Sequence, residues 1–394
     1  MLIESSITLS QLESLYQNID SALGSELSPS ISYSYAGAFG LEAALIQFIA
    51  SWQRIHPQGE VVLDCDLVDF SDFLRKAYTH PSNITACYFG EKFTDCAHAQ
   101  ISKSAVLKLA TPILEAMFRD DYRTITGSSE FALLCFRNHP NEFLPCLYEQ
   151  PAQGRVRSRD QIRDLIEKIL ATQTDTSKQR LSFESLASSL GPLLHELIKN
   201  TDDHSLTDED GNFYPKGVRG IIVKTASLDR GDLLSGYSGS NRRLTTYLNG
   251  RLSAVGRDTP RLTFLEVSVI DTGPGLARRW LSKDLGRPVR DLAPISIDVE
   301  RKAVIDCFRK YMTTKPSDSS GMGLTAVLNH LQRLKGFLRL RTGRLSLFQA
   351  LDKKQSEIEF SPHDWDKKLP MLPEAAGTTF TICVPVTSEA TKSE

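Results

Sequence analysis

The sequence predicts an α/β protein in which helices cover one side of a sheet, a two-layer α/β sandwich. From about residue 181 onward, segments with helical spacing of apolar residues alternate with segments typical of strands. In this part of the chain, residues 337–341 and 378–386 alternate apolar and polar side chains, as strands with one covered face do. Together these two observations predict a sheet with helices on one side.

A chain of 394 residues is long enough for two or three domains. We expect a separate mixed α/β domain of unassigned role at 1–150, then a linker and a connecting helix at 151–180. The sandwich should occupy 181–390, with a lid at 276–320. The sequence therefore predicts that the chemistry lies in the second half of the chain.

In the first half, residues 60–70 read as a buried strand, 104–118 as a helix and 131–136 as another strand. The polar stretch 149–160, with Pro and Gly, indicates a linker. Residues 159–171 keep the apolar spacing of a helix, which could connect domains or pair with a second copy.

The second half gives clearer boundaries. Strands are predicted at 219–226, 263–270, 337–341 and 378–386, a polar insertion at 227–260, and one helix within 276–320. Pro192 is expected near the start of the first helix of this half, which contains residues 195–204. A later amphipathic helix carries Leu324, Val327, Leu328, Leu331 and Leu334 on one face, with Gly336 as its predicted stop.

The composition excludes several classes of protein. With 41% hydrophobic residues, 24% charged residues and a formal net charge of −2, nothing indicates bulk electrostatic binding to nucleic acid or anionic membrane. The amino terminus lacks a basic region typical of secretion signals, and no apolar run has the length of a membrane span. Seven scattered cysteines without a CxxC pair favour reduced thiols over disulfides or zinc, so we expect a cytoplasmic protein.

The stretch "HELIKNTDDH", residues 195–204, carries Glu196, Asn200 and Asp203 at positions i, i+4 and i+7. They follow one edge of a broad apolar arc, and His195, Lys199 and Asp202 fall on the opposite side, expected to face solvent. Oxygen ligands at the border of a core suit a hard cation such as Mg²⁺ and the phosphates that it carries. The alternative is a solvated helix edge.

Three glycine-containing segments follow. The strand at 263–270 ends in "DTGPG", with Asp271, Gly273 and Gly275, where a carboxylate could accept a hydrogen bond from a flat ligand. "SSGMGL" (319–324) opens a helix, and a helix start favours anions such as phosphate. "GTT" (377–379) introduces the last strand and adds the hydroxyl of Thr378.

Taken in this order, these motifs make residues 181–386 resemble the GHKL superfamily of gyrase, the heat-shock chaperone ATPase, histidine kinases and MutL, which share the Bergerat ATP-binding fold. The resemblance implies ATP and Mg²⁺ as cofactors. It implies that Asn200 is the Mg²⁺ ligand, Glu196 the general base and Asp271 the acceptor for the adenine amino group. It also assigns nucleotide contacts to Asp203, Gly273, Gly275, Gly321, Met322, Gly323, Leu324 and Thr378.

The lid stretch "FRKYMTTKPSDSSGMGL" is similar to a segment of many sensor kinases, which implies that Lys315 reaches a phosphate when the lid closes. The chain departs from that pattern at Thr325, where a further glycine is usual.

Three activities are compatible with these motifs: an ATPase, a histidine or serine protein kinase, and a sensor that binds ATP without turnover. No histidine lies between His139 and His195, and His98, at a plausible distance, lacks the acidic residue and the proline of a conventional phosphoacceptor site, so phosphorylation on histidine is the less favoured alternative. Glu196 favours turnover, since a sensor needs no base. We therefore predict a Mg²⁺-dependent ATPase whose lid closure is coupled to the N-terminal domain, a protein partner or a second copy.

Overall fold

The computed structural model describes residues 1–33, 39–125, 130–150, 154–172, 177–229, 241–254, 261–289, 294–309, 323–352 and 358–386. Its strands are β1 (Glu26–Leu27), β2 (Glu60–Val62), β3 (Lys92–Thr94), β4 (Gln100–Ile101), β5 (Glu130–Phe136), β6 (Tyr148–Gln150), β7 (Arg155–Val156), β8 (Val218–Asp229), β9 (Arg261–Asp271), β10 (Phe337–Gly343), β11 (Leu345–Ala350), β12 (His363–Asp364) and β13 (Ala375–Val386).

The helices are α1 (Leu9–Gln17), α2 (Leu41–Ile55), α3 (Phe70–Ala77), α4 (Pro81–Phe89), α5 (Lys103–Phe118), α6 (Tyr122–Ile125), α7 (Arg159–Thr172), α8 (Ser177–Ser205), α9 (Arg242–Ala254), α10 (Leu276–Leu285), α11 (Ile297–Cys307) and α12 (Gly323–Arg333). Among the described residues, no helix combines the length and the apolar character that crossing a membrane requires.

Within the described chain the largest sheet has seven strands in the order β12-β11-β10-β13-β9-β8-β5, and every neighbouring pair is antiparallel. β9 lies between β8 and β13 and is buried along most of its length. The register brings Asp271, at the end of β9, opposite Thr378 of β13 and Arg219 of β8. The sheet thus fixes the surroundings of the predicted adenine-binding carboxylate.

Helices α7 and α8 pack against each other, and α12 packs against α8. Their apolar arcs are buried as the spacing predicts, including Leu193, Leu197 and Ile198 of α8. The five apolar residues of α7 are also buried, so the predicted connecting helix packs on its neighbour within the same chain. Gly191 permits this close approach, because a Cβ there would lie 2.6 Å from Cβ of Arg163.

The predicted mixed α/β class with a large sheet against helices is confirmed. The expectation of one uncovered sheet face is wrong, because β10 and β13 are buried on both faces and α2 contacts β13, β9 and β8. Arg341 of β10 is 1% exposed and forms a bidentate ion pair with Glu13 of α1, at 2.8 and 3.1 Å. Residues of the N-terminal region therefore neutralise the polar face of the sheet.

A separate N-terminal domain is not shown. β5, predicted as part of that domain, pairs with β8 along its whole length, from Glu130 opposite Lys224 to Phe136 opposite Val218. Gly40, at the start of α2, donates its N–H to Glu266 of β9 at 3.0 Å. Among the described residues, the first 150 positions thus contribute strand β5 and the covering helices α1 and α2 to the same architecture.

Several predicted boundaries are wrong. The strand predicted at 60–70 ends at Val62, because its partner β3 has only three residues. The predicted linker 149–160 contains β7 and most of β6, and the polar insertion contains α9. The described part of 276–320 contains two helices, α10 and α11. Pro192 lies inside α8, since that helix begins at Ser177.

Candidate functional site

The polar edge of α8 lies at the boundary of the core. The Glu196 side chain is 16% exposed, Asn200 is half-buried and Asp203 is exposed. The same helix buries Leu197, Ile198 and Thr201. Glu196 and Asn200 are therefore partly shielded from water, whereas Asp203 is well solvated.

Glu196 is engaged by a cation that the sequence did not single out. The guanidinium of Arg159, at the start of α7, donates to Glu196 Oε1 at 2.5 Å. His330 of α12 lies close enough to interact electrostatically with both members of this pair. Burial lowers the pKa of His330, the positive charges of Arg333 and Arg159 lower it further, and Glu196 opposes them. Three helices thus meet at the predicted general base.

Asp202 does not face solvent, contrary to the helical-arc prediction. Its carboxylate accepts a hydrogen bond from the Tyr148 hydroxyl at 3.2 Å and pairs with Arg219 at 3.5 Å. Burial raises the pKa of Asp202, and the Arg219 charge and the Tyr148 hydrogen bond oppose that shift. The solvent-side prediction is wrong because Tyr148, the first residue of β6 and expected to belong to the N-terminal domain, covers this side of α8.

Asp271 is a buried carboxylate at the carboxyl end of β9, an interior strand of the large sheet. It is 8% exposed and accepts the N–H of Gly273 at 2.8 Å. Burial raises the pKa of Asp271 to about 6, although the N–H groups of Gly273 and Thr378 and the charges of Arg54 and Arg219 favour the ionised form. A carboxylate shielded in this way is suited to accept a hydrogen bond from an amino group of a ligand.

Two threonine hydroxyls meet between β13 and β10, and one of them belongs to Thr378, the register partner of Asp271. Thr378 pairs with Thr342 in the β10–β13 register, and their hydroxyl oxygens are 3.3 Å apart. The Thr342 hydroxyl also accepts the N–H of Leu276, the first residue of α10, at 3.1 Å. Thr342 was not identified from the sequence, yet it connects the last strand to the segment that follows the glycines.

The glycines of "DTGPG" are required by close packing. A Cβ on Gly273 would lie 2.5 Å from Cα of Ser205, the last residue of α8. Gly275 has φ +87°, and a Cβ there would lie 3.0 Å from the Thr342 hydroxyl oxygen. Residues with side chains would push this loop away from α8 and from β10.

This contact sets the order of the predicted site residues along α8. Ser205 lies against the loop that follows Asp271. With a rise of about 1.5 Å per residue, Asn200 lies about 7.5 Å and Glu196 about 13.5 Å further back along the helix axis. Along the helix axis, the loop assigned to adenine therefore comes first, Asn200, assigned to the metal, comes next, and Glu196, assigned to the reacting phosphate, comes last.

Gly323 is the first residue of α12, and Leu324 is 8% exposed within the core. The contact between α12 and α8 places this helix on the side of the sheet where α8 lies. Lys315, Gly321 and Met322 lie outside the described residues, so their predicted nucleotide contacts stay predictions.

A second group of polar residues was also missed by the sequence analysis. Ligand atoms of Glu42, His80 and Glu130 lie within 4.8 Å of one another. The amine of Lys224 faces this group, and its pKa is lowered by burial against the opposing effect of Glu266, Glu130 and Glu42. Because Lys224 already supplies positive charge there, we assign the group to a buried ion-pair network and not to Mg²⁺.

No model of a known protein family matches the chain, and no curated protein matches it. The fold class stands on the sheet and its helices. Conclusions about function therefore depend on the chemistry of the residues around Asp271 and along α8.

Proposed function

We propose that this protein is a Mg²⁺-dependent ATPase of the GHKL type, with its nucleotide site between the end of β9 and the polar edge of α8. One observation carries the proposal. Asp271 has a buried carboxylate, the Gly273 loop that follows it packs against Ser205 at the end of α8, and the preceding turns of that helix carry Asn200 and then Glu196. This is the order in which a nucleotide presents its base, its metal-bound phosphates and its reacting phosphate.

Asp271 would bind the base. Its ionised carboxylate accepts a hydrogen bond from the exocyclic amino group of adenine, and the hydroxyl of Thr378 supports it from the opposite strand. Gly273 and Gly275 keep the backbone close enough to α8 and β10 for a flat ring to enter. Such a pocket favours adenine over guanine, because guanine presents a carbonyl oxygen where adenine presents the amino group.

Asn200 would hold the metal. A single amide oxygen suits Mg²⁺, which keeps several waters and takes its remaining ligands from phosphates. When bound, Mg²⁺ would neutralise phosphate charge. Asp203, one turn later and exposed, is placed to hold a water of the metal shell and not to bind the metal directly.

Glu196 would act as the general base, orienting a water for attack on the γ-phosphate and accepting its proton. Phosphoryl transfer asks a protein mainly for positioning and charge neutralisation, which these residue types supply. We assign the phosphate contacts to Gly321, Met322, Gly323 and Leu324, and a positive charge that reaches a phosphate to Lys315.

We further propose a cytoplasmic role in which nucleotide-dependent closure of residues 276–320 is transmitted to the N-terminal region, to a protein partner or to a second copy. The contacts of α1 and α2 with the sheet support the first of these routes. A specific observation favours a second candidate function, a nucleotide sensor without turnover: Arg159 holds the carboxylate of Glu196, and a base paired with a cation is a poor proton acceptor.

Incubation with γ-labelled ATP and Mg²⁺ tests the proposal. Release of labelled phosphate supports the ATPase, label on the protein indicates a kinase, and tight binding without either product indicates the sensor. Glu196→Ala should retain nucleotide binding and lose a factor on the order of 10²–10⁴ in turnover. Lys199→Ala, an exposed change on the same helix, is the matched control.

A further inference from the structure

Helix α2 carries a row of polar residues toward the predicted base pocket. Gln47, Ser51 and Arg54 occupy positions i, i+4 and i+7, which lie on one face of a helix. Gln47 is fully buried, Ser51 is 5% exposed and Arg54 is half-buried. Because a buried polar group needs a partner, the contacts of this row reveal what it holds in place.

Arg54 holds the loop that follows Asp271. Its guanidinium donates to the carbonyl oxygen of Gly273 at 3.0 Å and also to that of Thr272. The Arg54 Cζ atom lies over the Tyr214 ring, 3.9 Å from its centre, which is a favourable cation–π contact. Two adjacent carbonyl groups and an aromatic ring thus position one cation behind the loop.

Gln47 and Ser51 hold the segment that leads to Thr378. The Gln47 side chain donates to the carbonyl oxygens of Arg341 and Ala376 at 3.2 and 3.0 Å. The Ser51 hydroxyl accepts the N–H of Ala376 at 2.8 Å. These contacts occur where the β10–β13 register shifts, so α2 supplies bonds that the irregular ladder does not.

We propose that α2 positions the base-binding pocket, with Arg54 acting as a positioning residue for Asp271, and that the N-terminal region controls nucleotide affinity through this row. The effect on affinity depends on the proposed function, whereas the positioning of Asp271 does not. A displacement of α2 along the sheet would move the loop and the Thr378 segment together.

The charges around Asp271 provide a measurable consequence. Arg54 faces the carboxylate from α2, Arg219 from β8 and Arg279 from α10. Removal of the Arg54 charge should raise the pKa of Asp271 above its value of about 6. The N–H of Gly273, which donates to Asp271, reports the ionisation of that carboxylate directly.

The test is an NMR titration of the full-length protein labelled with ¹³C-carbonyl threonine and ¹⁵N-glycine. Only three Thr–Gly pairs occur in the sequence, at 126–127, 272–273 and 342–343, so the Gly273 amide can be assigned. In the wild type its shift should follow a single titration near pH 6. In Arg54→Gln the midpoint should rise, and in Arg54→Lys it should stay near the wild-type value because the charge is retained.

Arg75→Gln removes an exposed guanidinium of α3 that pairs with Asp72, and is the matched control. It should leave the Gly273 titration unchanged. If Arg54→Gln also leaves it unchanged, Arg54 does not position Asp271 and the proposal is overturned. If Arg54→Gln fails to fold, Arg54→Lys provides the test of the positioning role. Lysine keeps the charge but loses the paired donors of the guanidinium. The chemical shift of the Gly273 amide at pH 8 must therefore still differ from that of the wild type.

Nucleotide binding provides the second arm. Arg54→Gln should weaken the binding of a fluorescent ATP analogue about tenfold, the size expected of one charge-assisted hydrogen bond. Turnover at saturating ATP should change less than twofold, because Arg54 acts at the base end and not at Glu196. If the wild type binds no nucleotide while the Gly273 titration still shifts, the proposed function fails and the positioning role stands. Equal affinity of Arg54→Gln and wild type overturns control of affinity by α2.

Discussion

Arg159 of α7 and Glu196 of α8 form an ion pair of 2.5 Å, in which the arginine side chain is 62% exposed and the glutamate 16%. The pair joins the first turn of one helix to the proposed catalytic position of the next. An exposed arginine can leave such a pair at little energetic cost. In the proposed ATPase, Arg159 would occupy the carboxylate when no nucleotide is bound and release it on closure.

Arg159→Ala should increase ATP turnover. A carboxylate freed from a neighbouring cation is a stronger base, and we expect roughly a threefold to tenfold rise in kcat. Nucleotide affinity should change little, since adenine would bind at the other end of the proposed site. Steady-state phosphate release checks this. A fall in kcat would mean that Arg159 orients Glu196 for catalysis instead of restraining it.

Nucleotide affinity should depend on pH through Asp271. Its pKa of about 6 lies above the ordinary value, so the protonated form is present at mildly acidic pH and is lost as pH rises through 6. Only the ionised form accepts from the adenine amino group without restriction. Affinity should therefore be constant above pH 7 and fall below pH 6. Fluorescence titrations between pH 5 and 8 measure the affinity. Asp271→Asn should bind weakly, with an affinity that does not depend on pH. A pH-independent affinity of the wild type would exclude the role of Asp271.

Substitution by alanine should have different effects at two glycines, because it should weaken nucleotide binding at Gly273 and stabilise the protein at Gly250. Gly273→Ala places a Cβ 2.5 Å from the backbone of Ser205, so the loop must shift and nucleotide affinity should fall at least tenfold. Gly250, in α9, has open space around it, and Gly250→Ala should stabilise the protein by about 0.5–1 kcal/mol. Urea unfolding and nucleotide titration of both variants check the pair. Equal affinity in Gly273→Ala and wild type would mean that the loop does not contact the ligand.

The N-terminal region should contribute to the stability of the sheet. Glu13→Gln leaves Arg341, which is 1% exposed, without its charged partner, and breaking such a buried pair costs about 3–5 kcal/mol. Urea unfolding monitored at two wavelengths should show one transition with a lowered midpoint. Asp72→Asn breaks the exposed pair with Arg75 and should not move the midpoint. Two separate transitions, with only one affected, would instead indicate independent domains.

The sequence predicted the elements whose signal is local. The helical spacing of Leu193, Leu197 and Ile198 identified α8, and its polar edge was found from the same spacing. The end of β9 was correct because Asp271 and the glycines that follow interrupt a long apolar run. Signals of this kind depend on neighbours within one or two turns, which the sequence displays directly.

Contacts between distant segments were not predictable in the same way. Arg341 alternates with apolar residues as a solvent-facing residue would. Only its ion pair with Glu13 of α1 in the structure shows that it is covered. Arg159 lies 37 positions from Glu196, and Arg54 lies 218 positions from Thr272. Spacing within one helix carries no information about such partners.

Even a correct boundary had a different cause from the one expected. α12 ends near Gly336 as predicted, but the left-handed residue is Lys335, with φ +52°. Gly336 is needed instead because a Cβ there would lie 2.8 Å from the Cys383 carbonyl oxygen. The glycine marks the close approach of β10 to β13 and not the turn of the helix.

The central claim is that Asp271, Asn200 and Glu196 belong to one nucleotide site, and calorimetric titration of the wild type with a non-hydrolysable Mg²⁺–ATP analogue tests it most directly. We predict a single site per chain, retained in Glu196→Ala and lost in Asp271→Ala. Absence of binding heat in the folded wild type at two temperatures, or undiminished binding in Asp271→Ala, would contradict it.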